Sequence, residues 1–79
     1  MNMFMRIAKV VNVMGMSRST LYFRIRQGLM TPPVKLGQRC VAWPEHEVFA
    51  INAARMAQKS DTEIRELVAR LQQQRMTMA

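Results

Sequence analysis

Hydroxyl, guanidinium and aromatic side chains follow one another between Ser17 and Arg26. Hydroxyls and guanidinium groups donate hydrogen bonds to phosphate oxygens and to base edges, and an aromatic ring can contact a thymine methyl group. The segment therefore offers a set of contacts suited to DNA. Its candidate DNA-binding residues are Arg18, Ser19, Thr20, Tyr22, Phe23 and Arg26.

Residue type suggests one role for some of these candidates and two alternative roles for others. The two arginines suit either guanine edges or phosphates, and the three hydroxyl-bearing residues suit phosphates. Phe23 either contacts a thymine methyl group or folds onto Met30 or onto a partner. The alternative for the whole segment is an ordinary solvated polar face. We favour DNA binding because a basic chain, a short capped helix and a following hairpin coincide.

Two short helices joined by a tight turn are predicted to position this segment. Apolar residues recur at helical spacing from about Ile7 to Met14, and Gly15 ends that helix. Ser17 suits the N-cap of a second helix, which continues to about Gln27 and ends at Gly28. The inward face of the second helix carries Leu21 and Ile25. This pattern predicts a helix-turn-helix.

A β-hairpin is predicted after the bend at residues 31–33. Residues 34–36 and 39–43 form two strands around Gly37 and Gln38, a pair suited to a type II′ turn. This register would give one apolar face, formed by Val34, Leu36, Val41 and Trp43. Three polar residues at the hairpin are further DNA-binding candidates: Lys35, Gln38 and Arg39. They suit the DNA backbone or a minor groove, although exposed cations also protect sheet edges from pairing.

A third helix is predicted from Pro44, a residue suited to the first helical position, with Glu45 and Glu47 near its positive end. Its apolar side would consist of Val48, Phe49, Ile51, Ala53 and Met56. Trp43, at the end of the preceding strand, is predicted to lie in the core. Residues 1–5 are predicted to be a mobile lead-in or a short strand.

A fourth helix is predicted after the capping box of residues 60–63. It carries an apolar stripe at helical spacing, formed by Ile64, Leu67, Val68 and Leu71. The stripe either folds back on its own domain or pairs with a second copy of the chain, and we favour a homodimer. The end of the helix, residues 72–75, lacks apolar anchors and is expected to fray.

Composition restricts the function classes. The 79 residues suit one compact domain, and a formal charge of +7 favours an anionic partner. Nucleic acid ranks above a membrane surface because no single helix concentrates the cations. Cys40, expected to be buried, and His46, expected to be solvated, are each the single residue of their type, so neither a disulfide nor a zinc cluster is expected. No catalytic residues, metal or cofactor are expected.

Several motifs in one order give the chain a resemblance to a known family. They are residues 14–22, Gly28 ahead of residues 32–33, residues 33–39, residues 41–43, and Glu45 with residues 47–48. From Arg6 to Arg55 the chain resembles the AlpA-type phage and prophage regulators, whose domain is related to MerR-like winged helices and to phage excisionases. The resemblance implies a small sequence-specific DNA-binding protein, either a transcription regulator or an excisionase.

These observations predict a mainly α protein with a small β-hairpin: a winged helix-turn-helix domain over residues 1–58 and a C-terminal amphipathic helix over residues 59–79. The predicted function is cytoplasmic, sequence-specific binding of double-stranded DNA by a prophage-type transcription regulator. An excisionase-like recombination factor is the alternative within DNA binding. A protein-interaction module acting through the fourth helix is the alternative from a different class.

Overall fold

Four helices and three short strands make up residues 3–78, the part of the chain that the computed structural model describes. In chain order they are β1 (Phe4–Met5), α1 (Ile7–Met14), α2 (Arg18–Arg26), β2 (Val34–Lys35), β3 (Val41–Pro44), α3 (Glu45–Met56) and α4 (Asp61–Met78). Of the two alternatives for residues 1–5, a mobile lead-in or a short strand, the structure has a short strand at Phe4–Met5. Residues 1 and 2 lie outside the described residues.

Helices α1 and α2 have the predicted bounds and the predicted signals at their ends. Gly15 follows α1 with a φ of 66°, a left-handed conformation that glycine adopts without steric cost. Ser17 caps α2, since its side-chain oxygen accepts a hydrogen bond from the Thr20 amide at 3.2 Å. Gly28 follows α2 with a φ of 77°. The pair of helices and its tight turn are compatible with a small helix-turn-helix domain.

The three strands form an antiparallel sheet in the order β1-β3-β2, so that β3 is the central strand. Because β3 is paired on both sides and helices pack against it, Ala42 and Trp43 have no exposed surface. The predicted core position of Trp43 is confirmed. Its indole N–H donates to the Thr31 carbonyl at 2.9 Å, which satisfies the one polar group of a buried ring.

The hairpin exists, but its predicted register is wrong by one residue. Val34 pairs with Ala42 and Lys35 with Val41, so residues 37–39 form a three-residue loop. Gly37 does not adopt the positive φ that a type II′ turn requires. A one-residue slip moves side chains to the opposite face, and the predicted apolar face is therefore not formed. Leu36, expected to pack, is 46% exposed.

Helix α3 begins one residue later than predicted, because Pro44 is the last residue of β3 and occupies the N-cap position of the helix. Val48 and Ile51 are buried as expected. The predicted apolar side is nevertheless too broad. It includes three residues that are exposed: Phe49, Ala53 and Met56.

The predicted capping box opens α4. The Ser60 hydroxyl oxygen accepts from the Glu63 amide at 3.2 Å, and the Glu63 carboxylate accepts from the Ser60 amide at 3.3 Å. The hydrogen bond from the Ser60 backbone, followed by that from its hydroxyl, lowers the pKa of the Glu63 carboxyl from its ordinary value. Both bonds satisfy donors that a helix start would otherwise leave free.

The apolar stripe of α4 closes the core of the chain itself. Ile64, Val68 and Leu71 belong to the same buried cluster as Trp43, and Leu67 packs against that cluster. Of the two alternatives, folding back on its own domain is the one observed, so this stripe is not free for the favoured homodimer or for the protein-interaction module. The predicted boundary between residues 58 and 59 falls in the turn before α4.

The end of α4 is an ordered helix through Met78, so the predicted fraying of residues 72–75 is wrong. Its anchor is ionic rather than apolar. Arg75 donates two hydrogen bonds to the carboxylate of Glu47, at 2.7 and 2.6 Å, and one to the Pro32 carbonyl at 2.8 Å. Glu47, expected on an exposed helix start, has no exposed surface. A buried carboxylate needs such a partner because burial removes its hydration.

Replacing Arg75 by methionine should destabilise the fold, because Glu47 would keep its buried charge without a cation. Breaking a buried pair costs about 3–5 kcal/mol. We expect a smaller loss, about 2–3 kcal/mol, because the Arg75 side chain is 23% exposed. Urea unfolding followed by circular dichroism measures it. The matched control is the double variant Glu47→Leu/Arg75→Met, which should recover most of the loss. Equal stability of the single variant and the wild type would contradict this assignment.

Candidate nucleic-acid interface

Helix α2 presents most of its predicted binding residues to solvent. Leu21, on the opposite face, is completely buried, which fixes the rotation of the helix against the core. The predicted residues of α2 that are exposed are Arg18, Ser19, Tyr22, Phe23 and Arg26. Because successive turns of a helix place residues three and four apart on the same side, these residues share one broad face. We call this set the α2 face.

Thr20 is the predicted α2 residue that is only half exposed. Its hydroxyl oxygen accepts a hydrogen bond from the Ser17 hydroxyl at 3.0 Å, while its backbone amide donates to Ser17. The Thr20 hydroxyl therefore belongs to the cap of the helix. Its own hydrogen stays available for an outside acceptor.

Tyr22 is the residue of the α2 face that also contacts the core. Its ring meets the Trp43 ring edge to face, with the ring centroids 6.4 Å apart, and 40% of the residue is exposed. This geometry fixes one side of the tyrosine ring against the sheet. Tyr22 thus joins the α2 face to the strand that carries the hairpin.

Phe23 does not fold away from solvent, since 51% of its surface is exposed. The Arg26 guanidinium carbon lies 5.9 Å from the centroid of its ring, within the range of a cation–π contact. The ring and the guanidinium form a joint apolar and cationic patch. Such a patch suits the floor of a major groove, where thymine methyl groups and guanine acceptors are displayed.

The three predicted hairpin residues are all exposed. Lys35 lies on β2, and Gln38 and Arg39 lie in the three-residue loop that replaces the predicted two-residue turn. Cys40, expected to be buried, is half-buried and forms no disulfide. The longer loop places both Gln38 and Arg39 at the tip of the hairpin.

Arg65 stabilises the C-terminal end of α2, a role that the sequence did not reveal. From α4, its guanidinium Nε donates to the carbonyl of Gln27 at the C-terminal end of α2, at 2.9 Å. A cation at this position satisfies a free carbonyl and opposes the negative end of the helix. No local pattern marks such a contact, because the two residues are 38 positions apart.

The net positive charge lies in residues 1–44, the part of the chain that carries the candidate residues. All five Asp and Glu follow residue 44, where five of the twelve Lys and Arg also lie, so the first 44 residues carry the whole formal charge of +7. Each of the three ion pairs found in residues 3–78 uses a cation beyond residue 44. Counting charge by segment would have revealed this partition from the sequence.

Residues 3–78 show neither a metal-binding group nor a membrane-spanning helix. They contain no group of His, Cys, Asp or Glu arranged to hold a metal ion. His46 is exposed, as expected. Within the same residues, no helix combines the length and the apolar character needed to cross a membrane.

Comparisons with known proteins identify relatives of this chain. The profile of the family described as prophage CP4-57 regulatory protein (AlpA) matches residues 3–50. An uncharacterised protein of Enterobacteria phage P4, ORF88, is 46% identical over 54 residues, which is 68% of this chain and 61% of the phage protein. The chain therefore matches about three fifths of that relative's length. No solved structure matches this chain.

The packing of Tyr22 on Trp43 generates a prediction about stability. Tyr22→Phe keeps the ring contact and should leave the free energy of unfolding within about 0.5 kcal/mol of the wild type, whereas Tyr22→Ala should lower it by about 1 kcal/mol or more. Urea unfolding followed by the fluorescence of Trp43 measures both. A loss for Tyr22→Phe as large as that for Tyr22→Ala would mean that the hydroxyl, rather than the ring, holds the contact.

Proposed function

The chain belongs to the AlpA family of prophage regulatory proteins, and from that premise we propose that it regulates transcription by binding duplex DNA as a winged helix-turn-helix. Its place of action is then the cytoplasm, where phage and host DNA lie. The observation that carries the proposal is the partition of charge: the half of the chain with the α2 face and the hairpin holds seven cations and no carboxylate. A duplex is the partner that such an uncompensated surface attracts most strongly.

In this proposal α2 is the recognition helix and enters the major groove. Its exposed side presents Arg18 near the start and Arg26 at the end, the two residues long enough to donate bidentately to guanine. Ser19 and the Tyr22 hydroxyl donate to the phosphates that border the groove. Phe23 offers an apolar contact to a thymine methyl group, in line with its exposure.

The hairpin of β2 and β3 is the wing in this proposal. Lys35, Gln38 and Arg39 are exposed along its edge and loop, where they reach the DNA backbone or the adjacent minor groove. The Tyr22–Trp43 contact supports their joint use with α2, because it joins the recognition helix to the strand from which the hairpin extends. Helix and wing then engage one duplex together.

The recognition helix can be tested with Arg18→Ala and Arg26→Ala. Each should weaken binding to a duplex selected from a random library by about 1–3 kcal/mol, and should reduce the preference over random duplex, if the arginine contacts a base. Fluorescence anisotropy measures both affinities. Arg70→Ala, which removes an exposed charge on α4, is the matched control and should bind nearly as the wild type does. Wild-type affinity in both α2 variants would reject the assignment of α2.

The wing can be tested with the double variant Lys35→Ala/Arg39→Ala. It should weaken binding to selected and random duplexes alike, and should reduce the slope of log affinity against log salt concentration by about two units, one for each lost phosphate contact. Anisotropy titrations at several salt concentrations give the slope. An unchanged slope would remove the hairpin from the interface, whereas a loss confined to the selected duplex would assign it to base reading.

A further inference from the structure

A surface cavity of about 460 Å³ lies beside α2 and is lined by residues of α2, of α3 and of the turn that joins α1 to α2. Its polar lining comes from two helices and the turn before α2: Ser17, Thr20, Arg24, Asn52 and Arg55. Neither Arg24 nor Arg55 belongs to the α2 face or to the hairpin, so the DNA contacts described above do not use them. No carboxylate is among the residues that line the cavity.

Both arginines carry a buried N–H group that has no acceptor within the described protein: Nε of Arg24 and one terminal nitrogen, Nη2, of Arg55. Buried donors are almost always hydrogen-bonded, and a charged donor without an acceptor is especially costly. The nearest carboxylate, that of Asp61, lies 3.9 Å from the other terminal nitrogen of Arg55, a distance too long for a hydrogen bond. Two arginines that line the cavity therefore each keep one N–H group for which the described residues supply no acceptor.

The two guanidinium groups also repel each other. Burial, and then the positive charge of Arg24, lower the pKa of Arg55 from its ordinary value. An anion placed between the two guanidinium groups would be attracted by both and would offset their mutual repulsion. Tetrahedral oxyanions suit this site, because guanidinium groups donate in a planar fork and the Thr20 hydroxyl has a free hydrogen.

We propose that this cavity binds a phosphate group between Arg24 and Arg55. A phosphate of the DNA backbone beside the recognition helix and a free phosphate compound share this chemistry. Assigning the phosphate to DNA rests on the proposed function, whereas phosphate binding itself does not. The experiment therefore has two arms. The first tests whether the cavity binds phosphate, and the second tests whether that phosphate belongs to DNA.

The first arm follows thermal unfolding of the full chain in inorganic phosphate and in chloride at equal ionic strength. Phosphate at about ten times its dissociation constant should raise the Tm of the wild type by about 5 °C or more, and the Tm should keep rising with the logarithm of the phosphate concentration. Arg24→Met and Arg55→Met keep the alkyl stems, and should abolish this rise. Arg70→Met loses the same charge outside the cavity and should keep it. Arg55→Lys keeps the charge but not the fork, and should raise the dissociation constant about tenfold.

An equal rise in all variants would be a general salt effect and would overturn the proposal, as would no rise in the wild type. The second arm measures the salt slope of duplex binding. If the phosphate comes from DNA, Arg24→Met and Arg55→Met should each lower the slope by about one unit relative to Arg70→Met. Unchanged duplex binding together with a lost phosphate effect would support the site and assign it to a free phosphate compound. A wild type that responds to phosphate but binds no duplex would reject only the proposed function.

Discussion

The burial of Trp43 is the constraint on which the arrangement of the molecule depends. Its ring lies on the central strand, without exposed surface, and its indole N–H is held by the carbonyl of Thr31. The same ring receives the edge contact of Tyr22 from α2. One side chain therefore fixes the extended segment before the hairpin, the strand within it and the helix beside it. The relative position of the two candidate binding surfaces follows from this packing.

Residues 45–79, which have no net formal charge and which we call the frame, support the basic residues 1–44. Helix α4 fills the core with apolar residues, and two of its three arginines, Arg65 and Arg75, donate hydrogen bonds to backbone carbonyls of earlier segments. Arg75 joins the start of α3, through Glu47, to the carbonyl of Pro32. All the carboxylates lie beyond residue 44, and those that form ion pairs in residues 3–78 do so with cations of the frame. The cations of the first 44 residues are therefore not neutralised by these pairs.

What the sequence predicted correctly was local in origin. Ser17, Gly28 and the capping box at Ser60 act within one helical turn, so their spacing is enough to place the ends of α2 and the start of α4. What it missed depends on distant partners. The hairpin register followed from a three-residue loop that residue types did not distinguish from a two-residue turn. The order at the end of α4 depends on Arg75 and Glu47, which are 28 positions apart.

The candidate site divides in the same way. Exposed polar residues on a capped helix could be identified from spacing, whereas the cavity between α2 and α3 required the fold, because Arg24 and Arg55 have no sequence relation.

The central claim is that α2 and the hairpin together bind duplex DNA, and amide chemical-shift mapping of the labelled chain during titration with a selected duplex tests it most directly. The account predicts the largest shifts in residues 17–26 and 35–39, with residues 61–78 little changed. Shifts concentrated in α4 would contradict it.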